Sequence, residues 1–460
     1  MRPLEALLLG AIVVTLTLRW LRPRNRQFTS SALAMLGIMT ALHLFFDRPR
    51  WEMIPAYLMG VAAAWILGRD LNRLSGAKAG ESARWARVPS MGERAVSGVL
   101  LAVATAAATA IPAWAFPRIN LPRPDGYYEV GRLDVTLADS TRPLASGAPR
   151  PVAVSAWYPA EAPNGSPLRY HPQASALGSH LATGTPLPGF AFRNLTVART
   201  HSTAEPRFSI REGRSPLVLV AHDTGASRME GTAMFEQLAS RGYIVVSIDH
   251  AGAAAGPAGD DAALQASPVP GSEGDPAQAV EARVADLRFV LDRVSSLPLQ
   301  SAIDTLASHV LIDRVAVVGT GLGAAAAAEV AVLDDRVTAG VGIAPDTIAS
   351  AGSRGLRRPF LMFTVSDPGT LLDDVFRYGG TEVRLEGTTV RALQDVALVG
   401  APVVGLLGIE SADAPADVHA AVAALTLRFL DQYLKERTEQ TEVDLPQHVQ
   451  VRVIPHQARQ

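Results

Sequence analysis

The sequence predicts an α/β domain, a mostly parallel central sheet flanked by helices, preceded by a bundle of about four membrane-spanning helices. Three observations carry that expectation. Short apolar runs alternate with alanine-rich helical runs from Ile119 onward. Several of those runs are continuously apolar, as strands covered on both faces must be. Residues 1–118, by contrast, hold long apolar stretches separated by arginine-rich segments.

Taken in order, the apolar stretches are Leu4 to Leu18, Phe28 to Phe46, Ile54 to Gly68 and Ala95 to Ala115. A span needs roughly 20 mostly apolar residues, with about 17 tolerated, so the second and fourth meet the length and the first and third fall near its limit. The first is not a cleavable signal, because "LRPRNR" follows it and no small-residue cleavage site does. Arg19, Arg22, Arg24 and Arg26 fall in one loop, and Arg69, Arg73, Lys78, Arg84, Arg87 and Arg94 in another. Cytoplasmic loops retain basic residues, so both are expected inside, and the domain after Arg118 outside the cytoplasm. The same charges also suit contact with anionic membrane lipids.

The soluble part is expected to span residues 119–436. Its strands are read at "RLDVTL" from Arg132, "PVAVSAWYP" from Pro151, "PLVLVAH" from Pro216, "YIVVSIDH" from Tyr243, "RVAVVG" from Arg314, "AGVGIAPD" from Ala339 and "RPFLMFTVSD" from Arg358. Helices are read at Thr232 to Arg241, Gln278 to Leu297, after Gly323, and from Ala416 to Lys435. Residues 161–214 have little strand pattern and suit either a cap over the strand ends or a surface insertion. Residues 251–275 are rich in Gly, Pro and Ala and read as a flexible excursion. The tail, 437–460, is polar apart from "VQVRVI", which suits either an added strand or disorder.

Composition narrows the function classes. The chain is 460 residues long and 48% hydrophobic, with a net charge of only −2, which argues against nucleic acid as the main partner. That balance conceals a division: residues 1–118 hold 14 Lys and Arg against 6 Asp and Glu, leaving 28 against 38 for the rest. With no cysteine there is no disulfide framework, no thiolate metal site and no cysteine nucleophile. No cofactor and no metal are expected.

The stretch "VVGTGLGAAAA" from Val317 turns a strand into a helix and has glycine where a hydrolase elbow would carry serine. With "GYYEVG" at Gly126, "AWYPA" at Ala156, "VLVAHDTGASR" at Val218, "LASRGYIVVSIDHAG" at Leu238 and "LRFLDQYL" at Leu427, the region from Gly126 to Leu434 resembles the platelet-activating factor acetylhydrolase group of α/β-hydrolases. Bacterial members of that group often place membrane helices in front. The resemblance implies an α/β-hydrolase fold and a Ser, Asp and His triad acting on lipid or ester substrates.

Carried over position by position, the nucleophile falls on Gly321, the acid on Asp346, and the histidine on Val390 within "GTTVRALQD". Ala392 and Leu393 replace the serine and phenylalanine that the resemblance implies around that histidine. Two of the three catalytic groups are therefore substituted. A weak nucleophile needs an adjacent base, so loss of both removes acyl-enzyme formation. The oxyanion hole would use the backbone N–H groups of Thr224 and Leu322, which side-chain changes do not delete. Asp223 stands where the family has glycine, and its carboxylate is expected to oppose a developing oxyanion.

The expected role is therefore binding, of a lipid-like ligand in the former acyl pocket or of a membrane protein subunit. Ester hydrolysis by a displaced nucleophile and a structural place in a larger membrane complex are the alternatives. Gly319, Gly321 and Ala324 also fit the dinucleotide pattern G-x-G-x-x-A, with Asp346 as its acid, and a helix N-terminus there could bind an anion. His222 with Asp223 and Asp249 with His250 end two strands and could meet as a base or metal site, though a structural role is their default. Ser227 and Ser366 lie near strand ends without an elbow pattern, and His419 is read as a solvated helix-face residue.

Overall fold

The computed structural model describes all residues other than 1–2, 22–25, 48–52, 77–97, 100–102, 104–105, 107–120, 145, 162–164, 171–197, 210–212, 225, 251–274, 296–305, 346, 348–353, 369–370, 399–410, 437–445, 447–448 and 459–460. The chain forms two compact units, Met1–Pro117 and Arg118–Gln460.

In the first unit three helices are described, α1 (Pro3–Leu21), α2 (Arg26–Leu42) and α3 (Ile54–Gly76), with a π-helical turn, His43–Asp47, prolonging α2. They bury Leu8, Ile12 and Leu16 against Leu36, Ala56, Ala63 and Leu67. Where the helices carry polar groups they pair them: Arg19 Nε donates to Asp70 at 2.9 Å, and His43 Nε2 lies 2.7 Å from the Tyr57 hydroxyl. Their outer faces expose Ile38, Phe45, Leu58, Val61 and Trp65. Among the described residues one helical segment, Arg26–Phe46, is long and apolar enough to cross a membrane. Of the four expected spans this one meets the criterion among the described residues, and most of the fourth stretch lies outside them.

The second unit is built on a ten-stranded sheet: β1 (Glu129–Asp139), β2 (Arg150–Ala160), β3 (Thr203–Ala204), β4 (Ser215–Ala221), β5 (Ile244–Ile248), β6 (Val310–Thr320), β7 (Val337–Ile343), β8 (Phe360–Thr364), β9 (Gly380–Leu385) and β10 (Val451–His456). Across the sheet the order is β10-β9-β8-β7-β6-β4-β5-β2-β1-β3. Strands β4 to β9 run parallel, while β1 with β2, β2 with β5 and β9 with β10 pair antiparallel. Every residue of β4, β5 and β8 is buried, which is why these strands read as unbroken apolar runs.

Helices cover both faces. On one, α5 (Pro276–Ser295) and α6 (Leu322–Leu333) supply Val284, Leu287 and Ala325 to Ala328; on the other, α4 (Thr232–Ser240) and α8 (Pro415–Leu434) supply Phe235, Leu238, Val422 and Leu430. A short helix, α7 (Leu371–Val375), adds Leu372 and Val375 to the core on the α5 and α6 side of the sheet. All seven strands and four helices read from the sequence of this unit are present.

Two of the three segments that the sequence left open are described in part. Of 161–214, more than half lies outside the described residues; in the rest β3 pairs with β1, Phe208 bridges to Ala160, and Tyr170 reaches Asp395. The tail supplies β10, hydrogen-bonded along β9 from Val451↔Leu385 to His456↔Gly380. The excursion at 251–275 lies, but for Asp275, outside the described residues.

Candidate active site

Strand order reverses at β4, which has β5 on one side and β6 on the other. Ligands in open α/β sheets bind at such a switch point, outside the carboxyl ends of the strands. Here those ends align: Ala221 of β4 is level with Ile248 of β5 and Gly319 of β6, and Thr320 with Ile343 of β7. The residues that follow, His222, Asp223, Gly321 and Ala344, therefore emerge together at one rim.

Gly321 makes the turn from β6 into α6 at φ 54°, ψ −121°, outside the regions L-residues favour, and its N–H donates to Ile343 O at 3.0 Å. The flanking glycines are required by close approach. A Cβ on Gly319 would lie 2.0 Å from Gly323 O, and one on Gly323 would lie 2.1 Å from Ala221 O. The turn from β6 into α6 is thus a tight strand-to-helix elbow with glycine at its apex.

Asp223 fills the place that side chain would take. A Cβ on Gly321 would meet the Asp223 carboxyl group, with Cγ at 2.0 Å and its oxygens at 2.1 and 2.2 Å. Its Oδ1 accepts hydrogen bonds from Thr224 N at 2.7 Å and Leu322 N at 3.0 Å, the two expected oxyanion-hole donors. Asp223 N donates to Thr320 Oγ1 at 3.1 Å. The sequence expectation that Asp223 would oppose an oxyanion is refined: the hole holds a resident carboxylate. The same contact answers the anion-binding alternative, because the first N–H of α6 is already engaged.

A cavity of about 50 Å³ opens above this carboxylate. It is lined by apolar side chains including Met234, Phe235, Val390, Leu393 and Val422, and by Glu230 and His419. Val390, the position that the resemblance aligns with a histidine, begins a 3-10 turn, Val390–Leu393, and adds only hydrocarbon to the wall. Asp346 lies outside the described residues, so neither its place beside the histidine position nor its place in the dinucleotide pattern is described.

His419 is a correction: it is buried, with Nδ1 3.8 Å from Asp395 Oδ1 and Nε2 donating to Gln394 O at 3.1 Å. Asp395 itself is fully buried and accepts from Tyr170 Oη at 3.1 Å and Gly231 N at 3.0 Å, while its own N–H donates to Glu230. Burial raises the Asp395 pKa against the opposing pull of His419 and these donors. Burial and then the Asp395 charge raise Glu230 to about 8, and burial lowers His419. Around neutral pH, therefore, Glu230 is mainly a proton-bearing carboxyl at the cavity wall and His419 a neutral ring. Sequence reasoning missed Glu230 and Tyr170; Asp395 closes the histidine-loop stretch but carried no role there.

The residues of the second expected cluster come together. His222 Nδ1 donates to Asp223 O at 2.7 Å and its Nε2 lies 3.4 Å from Asp249 Oδ1; the His222 and His250 rings are 5.1 Å apart. Asp249 is also bound by Arg228 through both the backbone N–H and the guanidinium. Burial works to raise its pKa, but Arg228 and His222 bring it below the ordinary value. His250 contacts Asp286, which Arg142 and Arg150 also bind, and burial lowers its pKa to about 4. Among the described residues no group of three or more His, Asp and Glu side chains converges to hold a metal ion. These histidines brace the ends of β4 and β5 against α5. Ser227 is buried and accepts from Met229 N at 3.3 Å, and Ser366 lies exposed beyond β8.

No protein-family model matches the chain, and no curated protein sequence does. Among solved structures it is similar to a ferulic acid esterase from Streptomyces cinnamoneus, with a TM-score of 0.56 and 22% identity over 72% of this chain and 98% of that one. This likeness, with the strand order above, identifies the α/β-hydrolase fold.

Proposed function

We propose that this is a membrane-anchored relative of acetylhydrolase-like esterases that has given up serine acyl chemistry, its pocket serving to bind a lipid-like ligand. One observation carries the reading: the Asp223 carboxylate stands both where the serine side chain would be and in the oxyanion hole. An acyl substrate would find no hydroxyl at Gly321, no imidazole at Val390 and no vacant donors for its oxyanion. The apolar wall of Phe235, Met234, Val390, Leu393 and Val422 suits hydrocarbon, and the apolar outer faces of α1 to α3 suit a membrane.

Full-length protein purified in mild detergent is the material for the test. Short-chain acyl esters should turn over no faster than in buffer, a fluorophosphonate probe should leave the protein unlabelled, and solvent extraction should recover a co-purified amphiphile. Stoichiometric labelling of any serine would overturn the loss of acyl chemistry. Recovery of a membrane protein subunit with no amphiphile would replace the ligand by a partner.

A further inference from the structure

Loss of the serine does not leave the pocket without a nucleophile. Asp223 Oδ1 is held by the Thr224 and Leu322 N–H groups, Oδ2 accepts no hydrogen bond among the described residues, and the residue lines the cavity. A carboxylate oriented in this way is a competent nucleophile toward sp3 carbon, where the product is an ester. Glu230 lines the same cavity.

We propose that Asp223 attacks an epoxide carried on a short apolar chain, with Glu230 as the proton donor and acceptor, so that the pocket hydrolyses epoxides to diols. This goes beyond the loss of serine chemistry and does not depend on the identity of a co-purified lipid. In the first step Asp223 Oδ2 forms a bond to a ring carbon, the ring C–O bond breaks with its electron pair on oxygen, and that oxygen takes the Glu230 proton. A hydroxyalkyl ester on Asp223 and a Glu230 carboxylate result.

Water then attacks Cγ of that ester while Glu230 takes one of its protons. The negative charge develops on Oδ1, already facing Thr224 N and Leu322 N, so the hole stabilises this step without rearrangement. Collapse expels the alkoxide, which recovers the proton from Glu230 and leaves as diol. The carboxylic acid left on Asp223 returns its proton to Glu230, and the net reaction is addition of one water.

The proton-bearing carboxyl selects the substrate class, because a ring oxygen needs a proton as it leaves. Burial and the Asp395 charge, which raise Glu230 to about 8, keep that proton in place at neutral pH. Phe235, Val390 and Leu393 give the cavity an apolar side, which suits a small hydrocarbon chain.

Full-length protein in detergent is incubated with epoxybutane, epoxyhexane or styrene oxide, and diol is measured. In heavy-oxygen water under single-turnover conditions the label should enter the peptide containing Asp223, and the first diol released should carry ordinary oxygen. Asp223→Asn should reduce diol formation to the buffer rate, and Glu230→Gln by on the order of a hundredfold. Absence of diol with all three epoxides, or heavy oxygen entering the first diol directly, would overturn the proposal. Because the labelling is read on unaltered protein, the outcome survives a variant that fails to fold. Fluorophosphonate labelling of a serine would refute the loss of acyl chemistry and leave the heavy-oxygen result to stand or fall by itself.

Discussion

At the scale of single residues, Gly321 and Asp223 form one unit. Gly321→Ser adds a Cβ where φ is +54° and where the Asp223 carboxyl already stands, so strain and overlap act together. A strained backbone alone costs on the order of 1–3 kcal/mol, and the overlap adds to it. Asp223→Gly leaves Thr224 N and Leu322 N without their acceptor, which costs about 1–3 kcal/mol where water does not replace it. The pair Gly321→Ser with Asp223→Gly should be more stable than the two single losses summed, by urea denaturation, because removing the carboxyl clears the space the serine needs. Simple additivity would mean that Asp223 does not fill the elbow. The buried titratable groups set a second expectation. The ordinary glutamate value is 4.5 and Glu230 is raised to about 8, so its contribution is complete below the first and is lost as pH rises through the second. His250 runs oppositely: its value falls from 6.5 to about 4, and its contribution, present above 6.5, is lost as pH falls through about 4. Thermal midpoints should therefore decline on both sides of a maximum, and Glu230→Gln should flatten the alkaline limb alone. An alkaline limb unchanged in that variant would assign it to other groups.

At the scale of elements, the site depends on how closely α6 lies against β4 and β6. Gly319→Ala and Gly323→Ala place a methyl against backbone carbonyls at 2.0 and 2.1 Å, contacts that no rotamer change relieves. Each should cost at least about 1–3 kcal/mol. Gly165→Ala, whose Cβ would meet nothing nearer than 3.8 Å, is the control and should be close to neutral by the same denaturation measurement. Equal midpoints for all three would show that α6 stands off from the sheet. The central strands were legible because burial on both faces writes them as apolar runs. "GTEVRL", which forms β9, was not, because Glu382 is buried through partners, Thr364 and Arg384, that sequence alone does not pair with it. The elbow was legible for a similar local reason, since strand, glycine turn and helix are contiguous. The Asp223 carboxyl at its apex was not, because the Leu322 and Asp223 contact spans 99 residues and needs a position without a side chain. His419 misled for the complementary reason: its partner Asp395 lies on a separate turn, and polar residues on a helix ordinarily face water.

At the scale of the whole molecule, the proposed membrane anchoring implies an arrangement set by how many of the front segments span the bilayer. Arg26–Phe46 meets the length and hydropathy of a span, and the arginines at 19, 22, 24 and 26 precede or open it. Positive flanks stay in the cytoplasm, so a single span there sends everything after Phe46 outside. Four spans also deliver the hydrolase-fold domain outside, but they return the basic segment around Arg84 to the cytoplasm. A reporter at the C-terminus cannot distinguish these arrangements; two sites can. The chain has no cysteine, so any introduced thiol is the sole target of a membrane-impermeant maleimide. Ser146→Cys lies on an exposed turn of the domain and Ser82→Cys within the basic segment. On intact bacterial cells made permeable only in their outer layer, Ser146→Cys should label at once, and Ser82→Cys only after the inner membrane is opened. Immediate labelling at both would reduce the anchor to one span and leave the second arginine group facing outward, against the rule that orients it. Labelling at neither would place the domain in the cytoplasm, and with the segment 19–26 inside would require an even number of spans between Arg26 and Arg118.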